Sequence, residues 1–241
     1  KNIPVYQPLT LRGEEFEQML KSLDPEMIVV VAYGKILPQN VLDYPKYGCV
    51  NVHGSLLPEY RGAAPMQRAI IDGKTVTGIT TMLMAAGLDT GDMLLKCEVE
   101  IGENDNFEDI HDRLSEAGAK LLVETVEKLE KGEITPEKQD DSKATYAAKI
   151  EKSACLLDFS LDAKTLHDLI RGLSPIPLSF THTPDGKLLK IAKSRVFDSE
   201  KVNECEIGTV LEVGEEILVA CGKGILSLLS VVPEGKGRMS A

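Results

Sequence analysis

The stretch Cys49-Val50-Asn51-Val52-His53-Gly54-Ser55-Leu56-Leu57-Pro58 decides how the rest of the chain is read. Its first five residues read as a strand that stops at Gly54. Upstream, Met27-Ile28-Val29-Val30-Val31-Ala32 is a short apolar run bounded by Gly34, the pattern of a fully buried parallel strand. With a helical segment before them, these strands set a βαβ rhythm and imply an open α/β sheet. Side chains two apart on a strand share a face. Asn51 and His53 therefore project together at a strand's carboxyl end, where open α/β sheets bind ligands. An amide beside an imidazole suits stabilising a developing oxyanion while moving a proton. Downstream, Gly87-Leu88-Asp89-Thr90-Gly91-Asp92 offers a carboxylate, Asp89, that would orient the imidazole and favour its charged form. The same features also suit a hydrogen-bonded loop anchor and an ordinary Asx turn, and spacing alone leaves both readings open.

Composition sets the bounds. At 241 residues the chain holds one large domain or two ordinary ones. It is 43% hydrophobic but 5% aromatic and has no Trp, so its cores must be built from Leu, Ile, Val and Ala. No run approaches the ~18 apolar residues of a membrane span, and no signal peptide is read at the start. Cys49, Cys97, Cys155, Cys205 and Cys221 are scattered and odd in number, which argues for a reducing cytosol and against a disulfide framework or metal site. His111, His167 and His182 read as isolated surface or core residues. The net charge of −11 belongs to the first part: residues 1–141 carry 14 Lys+Arg against 25 Asp+Glu, and residues 142–241 carry 13 against 13. A nucleic-acid partner would be met by local basic patches, not by a global field.

Along the chain, Ile3–Tyr6 reads as a short strand. Thr10–Glu15 reads as a capped helix start leading to Phe16, Met19, Leu20 and Leu23 at helical spacing, closed by Asp24-Pro25. Pro65 fits the first position of a helix through Ile71, ended by Asp72-Gly73. Strands at Gly78–Met84 and Asp92–Val99 would hold the Leu88–Asp92 loop near His53. From Asn106 to Lys131, Phe107, Ile110, Leu114, Ala117, Leu121, Val126 and Leu129 form the stripe of a helix that covers the sheet. Residues 132–152 are polar and read as an interdomain linker. After a helix around Ala163–Arg171 come short strands at Leu178–Thr183, Leu188–Phe197, Ile207–Val213, Ile217–Cys221 and Ile225–Val232, spaced like a small closed barrel. Such a barrel either binds an oligonucleotide or simply packs, and its few aromatics (Phe180, Phe197) do not decide between these.

Taken together, Asn51-x-His53-x-Ser55-Leu56-Leu57-Pro58, Tyr60-Arg61-Gly62-Ala63-Ala64-Pro65 and Gly87–Asp92 resemble the folate-dependent formyltransferases. The Arg-Gly-Ala-Ala-Pro variant is most similar to the members that act on initiator methionyl-tRNA. The resemblance implies a doubly wound, Rossmann-like α/β formyltransferase domain over residues 1–131, N-terminally incomplete. A linker at 132–152 and a C-terminal OB-like β-barrel domain at 153–241 would follow. It implies Asn51, His53 and Asp89 as the catalytic trio, with Ser55, Leu56, Leu57 and Pro58 contacting the folate. The co-substrate would be 10-formyltetrahydrofolate, without a metal. The enzyme would be a cytoplasmic monomer serving translation initiation. Arg171–Pro177 and Leu228–Met239 resemble the family's tRNA-holding domain, which makes Lys187, Lys190, Lys193, Arg195, Lys223, Lys236 and Arg238 the candidate phosphate contacts. The same trio occurs in glycinamide ribonucleotide and sugar-nucleotide formyltransferases and in a formyltetrahydrofolate hydrolase domain. Arg61–Pro65 and the C-terminal domain favour the tRNA branch over these. A non-catalytic RNA-binding protein on a decayed enzyme is a further class, against which the intact trio argues. In the family two strands precede the first residue of this chain. Without them the strand at 27–32 lacks a partner on one side, and residues 1–241 alone are expected not to fold stably.

Overall fold

In the computed structural model, which describes residues 3–202 and 204–241, α1 (Glu14–Leu23) leads into β1 (Ile28–Val31). Asp24 turns left-handed and returns its N–H to Leu20 O, which ends the helix where Asp24-Pro25 predicts. Its start differs from the expectation. Gly13 is the N-cap without a side-chain bond, and Thr10 Oγ1 is spent on the N–H of Arg12 in a local turn. There follow α2 (Gln39–Leu42), β2 (Cys49–His53), β3 (Arg61–Gly62), α3 (Pro65–Ile71), β4 (Val76–Leu83), β5 (Met93–Glu100) and α4 (Phe107–Lys131). Pro65 is the first residue of α3, where its missing N–H costs nothing. A reciprocal cap starts α4: Asn106 Oδ1 accepts from the N–H groups of Glu108 and Asp109, and the Asp109 carboxylate accepts from Asn106 N–H.

The sheet order is β1-β2-β4-β5. β1 and β2 are parallel, with Ile28 opposite Cys49, but β2 and β4 are antiparallel, with His53 opposite Thr80. The sheet is therefore mixed, not doubly wound in parallel, because the connection through α3 does not carry the chain back to the start of β2 before β4 begins. Nor is β1 fully buried. It lies at the sheet edge among the described strands, with Val29 and Val31 exposed by 42% and 59%. Ile3–Tyr6 forms no strand with the described residues, since Pro4 has no N–H to donate and Val5 is 81% exposed.

By contact density the chain divides into two compact units. One comprises the residues up to Arg61, Ile79–Cys97 and Gly118–Thr145. Its core joins Leu11, Leu20, Leu37, Val41, Leu42 and Cys49, with Leu57, Met82 and Met93 as a second cluster. The other comprises Gly62–Gly78, Glu98–Ala117 and Tyr146–Ala241. Here β6 (Tyr146–Ala147) precedes α5 (Ala163–Gly172), which Asp162 caps by accepting from Thr165 N–H. A methyl group at Gly172 would lie 2.6 Å from Ile71 Cγ1, so glycine is what lets α5 approach α3. Beyond α5 run β7 (Ser179–His182), β8 (Leu188–Asp198), β9 (Val210–Val213), β10 (Ile217–Ala220), β11 (Ile225–Pro233) and β12 (Met239–Ser240).

These strands form an antiparallel sheet of order β7-β8-β11-β10-β9, with β12 on β11. Leu166 and Ile170 of α5 pack on Ile191, Leu226 and Leu228. The expected closed barrel is not formed among the described strands. Closure requires the end strands to hydrogen-bond to each other, and β9, four residues long and exposed throughout, ends the sheet opposite β7.

Candidate active site

β2 carries two kinds of side chain. Its first residues bury in the core, and burial pushes the Cys49 thiol up to about 11, so this cysteine packs rather than reacts. Its last residues face outward chemistry. Asn51 is half-buried, and its amide makes no hydrogen bond with the described residues. His53 is buried, and its Nε2 lies 2.9 Å from Tyr60 O. A carbonyl oxygen only accepts, so Nε2 carries the hydrogen and Nδ1 is the nitrogen left for proton exchange. Nδ1 faces Asp89 Oδ2 at 3.7 Å, with side chains exposed by only 6% and 15%. That separation exceeds a direct hydrogen bond and suits an ion pair or a single bridging water.

Asp89 reaches this place because its loop is tied down. The residue itself is left-handed, with φ 50°. Leu83 N–H donates to Asp92 O at 2.8 Å, closing the loop's base, and Gly91 lies directly against the Leu83 carbonyl. The Gln139 amide donates to Asp89 O and to Gly91 O, both at 2.7 Å, while Gln139 Oε1 accepts from Arg61 Nε at 3.0 Å.

The Ser55–Pro58 turn is similarly fixed. Thr80 Oγ1 accepts from Leu57 N–H at 3.0 Å and donates to Ser55 O at 2.8 Å. Ser55 Oγ donates to Glu59 O, and Lys96 Nζ donates to Leu57 O. Ser55 and Leu57 are thus fully buried, whereas Leu56 and Pro58 keep part of their surface. Sequence reasoning missed Thr80, Lys96 and Gln139, and read Arg61 only as part of the Tyr60–Pro65 motif. The faint signals were a threonine at a core position of an apolar strand and a glutamine amid charges in an otherwise solvated stretch.

The basic candidates divide. Lys187, Arg195 and Lys223 are paired to Asp185, Glu216 and Glu200. Arg238 Nε donates to Ser230 Oγ, and Ser230 lies opposite Lys193 in the β8–β11 ladder. Lys190, Lys193 and Lys236 have no carboxylate partner among the described residues. No described helix is long and apolar enough to cross a membrane.

Against known proteins, residues 1–126 match the family described as formyl transferase, and residues 149–241 match formyl transferase, C-terminal domain. A methionyl-tRNA formyltransferase of Clostridium novyi (strain NT) is 51% identical over 237 residues, spanning 98% of this chain and 76% of that one. The fold is similar to that of HypX from Aquifex aeolicus, solved in complex with tetrahydrofolic acid. That match has a TM-score of 0.71 and 17% identity and covers 92% of this chain and 39% of the other. It is also similar to a methionyl-tRNA formyltransferase from Clostridium thermocellum, at a TM-score of 0.59 and 22% identity, covering 79% of this chain and 81% of that one.

Proposed function

The chain belongs to the formyl transferase family, among the methionyl-tRNA formyltransferases, and from that premise we propose that Asn51, His53 and Asp89 carry its chemistry. The reaction moves the formyl group of 10-formyltetrahydrofolate to the α-amino group of methionine on initiator tRNA. As the amine attacks, negative charge gathers on the formyl oxygen. The Asn51 amide, which makes no hydrogen bond with the described residues, donates to that oxygen. The Tyr60 carbonyl fixes Nε2–H and leaves Nδ1 bare, so His53 takes the proton leaving the attacking amine at Nδ1, facing the Asp89 carboxylate. The imidazolium so formed adds positive charge beside the oxyanion. As the tetrahedral intermediate collapses, the bond from the formyl carbon to the folate nitrogen breaks, that nitrogen receives the proton, and tetrahydrofolate leaves. The single observation that carries the reading is the approach of the Asp89 carboxylate to the ring of a buried His53.

The folate supplies the activated one-carbon unit. The Ser55–Pro58 turn would hold it, chiefly through the exposed parts of Leu56 and Pro58, since Ser55 and Leu57 are turned inward. Residues 1–131 carry the catalytic trio, and 132–152 lead from there to the C-terminal segment. Residues 153–241 hold the tRNA, with Lys190, Lys193 and Lys236 as cations that have no carboxylate partner among the described residues. The setting is that of translation initiation, in the cytoplasm. The test is formylation of charged initiator tRNA by Asn51→Ala and Asp89→Ala in the intact chain. Loss of one oxyanion donor commonly costs ~10²–10³ in rate, so turnover should collapse while folate still binds. Near-normal turnover in either variant removes that residue's role. A parent protein that binds tRNA without formylating it would favour the RNA-binding alternative.

A further inference from the structure

The bonds around His53 and Asp89 close into a ring. His53 Nε2 donates to Tyr60 O at 2.9 Å, and the next residue, Arg61, donates from Nε to Gln139 Oε1 at 3.0 Å. The Gln139 amide donates to the carbonyls of Asp89 and Gly91, and the Asp89 carboxylate returns to His53 Nδ1 at 3.7 Å. The ring is not a surface feature, since Arg61 and Gln139 are exposed by only 2% and 5%. It is tied from outside as well. Arg61 Nη2 donates to Asp141, Tyr60 N–H donates to Thr145 Oγ1, and Arg61 N–H donates to Thr145 O. Gln139, Asp141 and Thr145 all come from the polar stretch whose composition reads as a mere connection.

We propose that Gln139 is a positioning residue for the formyl transfer, setting the Asp89 carboxylate against His53; this rests on the catalytic reading above. Asp89 sits in a left-handed conformation that a residue other than glycine keeps only when its surroundings hold it there. Gln139 supplies that hold by gripping the carbonyls of Asp89 and Gly91. The side chain is chemically specific. Its carboxamide offers two N–H groups to two carbonyls and an oxygen to a guanidinium, all at once. Glutamate would keep the Arg61 contact but turn a negative oxygen towards both carbonyls. Methionine would fill the space and donate nothing.

Gln139→Met and Asp89→Asn, singly and combined in the intact chain, test this by formylation kinetics alongside thermal unfolding. The expected result is a kcat for Gln139→Met reduced roughly tenfold or more, with both KM values changed by less than about threefold. In the Asp89→Asn background the same substitution should change turnover by less than about twofold, because the two act through one group. A purely structural role would instead lower turnover to the same degree in both backgrounds, and that outcome overturns the proposal. Should the methionine variant not fold, Gln139→Glu carries the same comparison. Normal turnover in Gln139→Met beside a crippled Asp89→Asn refutes this inference alone. Normal turnover in Asp89→Asn refutes the catalytic reading and this inference with it.

Discussion

Replacing Gly91 by alanine drives a methyl group into the backbone that anchors the Asp89 loop. An ideal Cβ there would overlap the Leu83 carbonyl oxygen and lie 2.9 Å from Leu83 C and 3.3 Å from Ala85 N. All three are backbone atoms, so no rotamer change relieves the clash, and the loop itself must retreat by on the order of 1 Å. Displacements of that size commonly cost ~10²-fold in rate, and here the moving segment carries Asp89 O and Gly91 O away from Gln139. Overpacking of this kind also destabilises by about 1–3 kcal/mol. For a chain of this size that lowers Tm by roughly 2–4 °C per kcal/mol. Gly87→Ala is the milder comparison, because the three nearest atoms to its added methyl all belong to the Thr90 side chain, whose Oγ1 and Cγ2 can rotate away. The assay is kcat for formylation of methionyl-tRNA, with Tm measured in parallel. If Gly91→Ala turns over within about threefold of the parent, the claim that loop position governs the rate is wrong.

Three further outcomes follow from the same geometry. Thr80→Val should leave Leu57 N–H and Ser55 O buried without partners, at about 1–3 kcal/mol each. That predicts a Tm several degrees lower and a weaker KM for the folate, and an unchanged unfolding midpoint would refute it. Burial, with Arg171 and Lys164 assisting, holds the His167 imidazole below its ordinary value of 6.5, against the Glu103 carbonyl bond and Asp168. The unfolded chain therefore binds the proton more readily. The contribution is complete above pH 6.5 and is lost as pH falls through the lowered folded value, at no more than ~1.4 kcal/mol per pH unit. Urea midpoints between pH 5 and 8 should show that fall, and His167→Gln should flatten it; an equally steep variant would refute the assignment. Lys190→Ala, Lys193→Ala and Lys236→Ala combined should weaken tRNA binding and reduce the slope of log affinity against log salt by ~0.7–0.9 for each phosphate no longer neutralised. An unchanged slope in a filter-binding titration would dismiss these cations.

What the sequence disclosed was local in origin. Asn51 and His53 share a strand face because alternation is a property of the strand itself, and Pro65 and Asn106 start helices through their own backbone chemistry. The apolar stripe of α4 is likewise a three-to-four-residue pattern, with Ile110 and Leu114 fully buried. The edge exposure of β1 is not in its own run of residues and is implied only by the resemblance, by which the strand lacks a partner on one side. Val29 and Val31 look like core residues whatever lies beside them, and burial depends on a neighbour that the run does not encode. The unclosed C-terminal sheet has the same cause: strand spacing predicts strands, not whether the first and last of them meet.

Gln139 marks the harder limit. It lies in a run of Glu, Lys and Asp whose composition is that of a solvated connection, and no periodicity distinguishes it from its neighbours. Its burial exists only because an arginine and two loop carbonyls, from segments 78 and about 50 residues away in sequence, converge on one carboxamide. A buried amide of this kind is costly unless every group on it is satisfied, and here all are. Such complete satisfaction demands one side-chain length and one arrangement of donors, which an accidental contact would not. The positions most constrained by this site are therefore the ones its sequence pattern hides, and substitutions there should register in turnover as well as in stability.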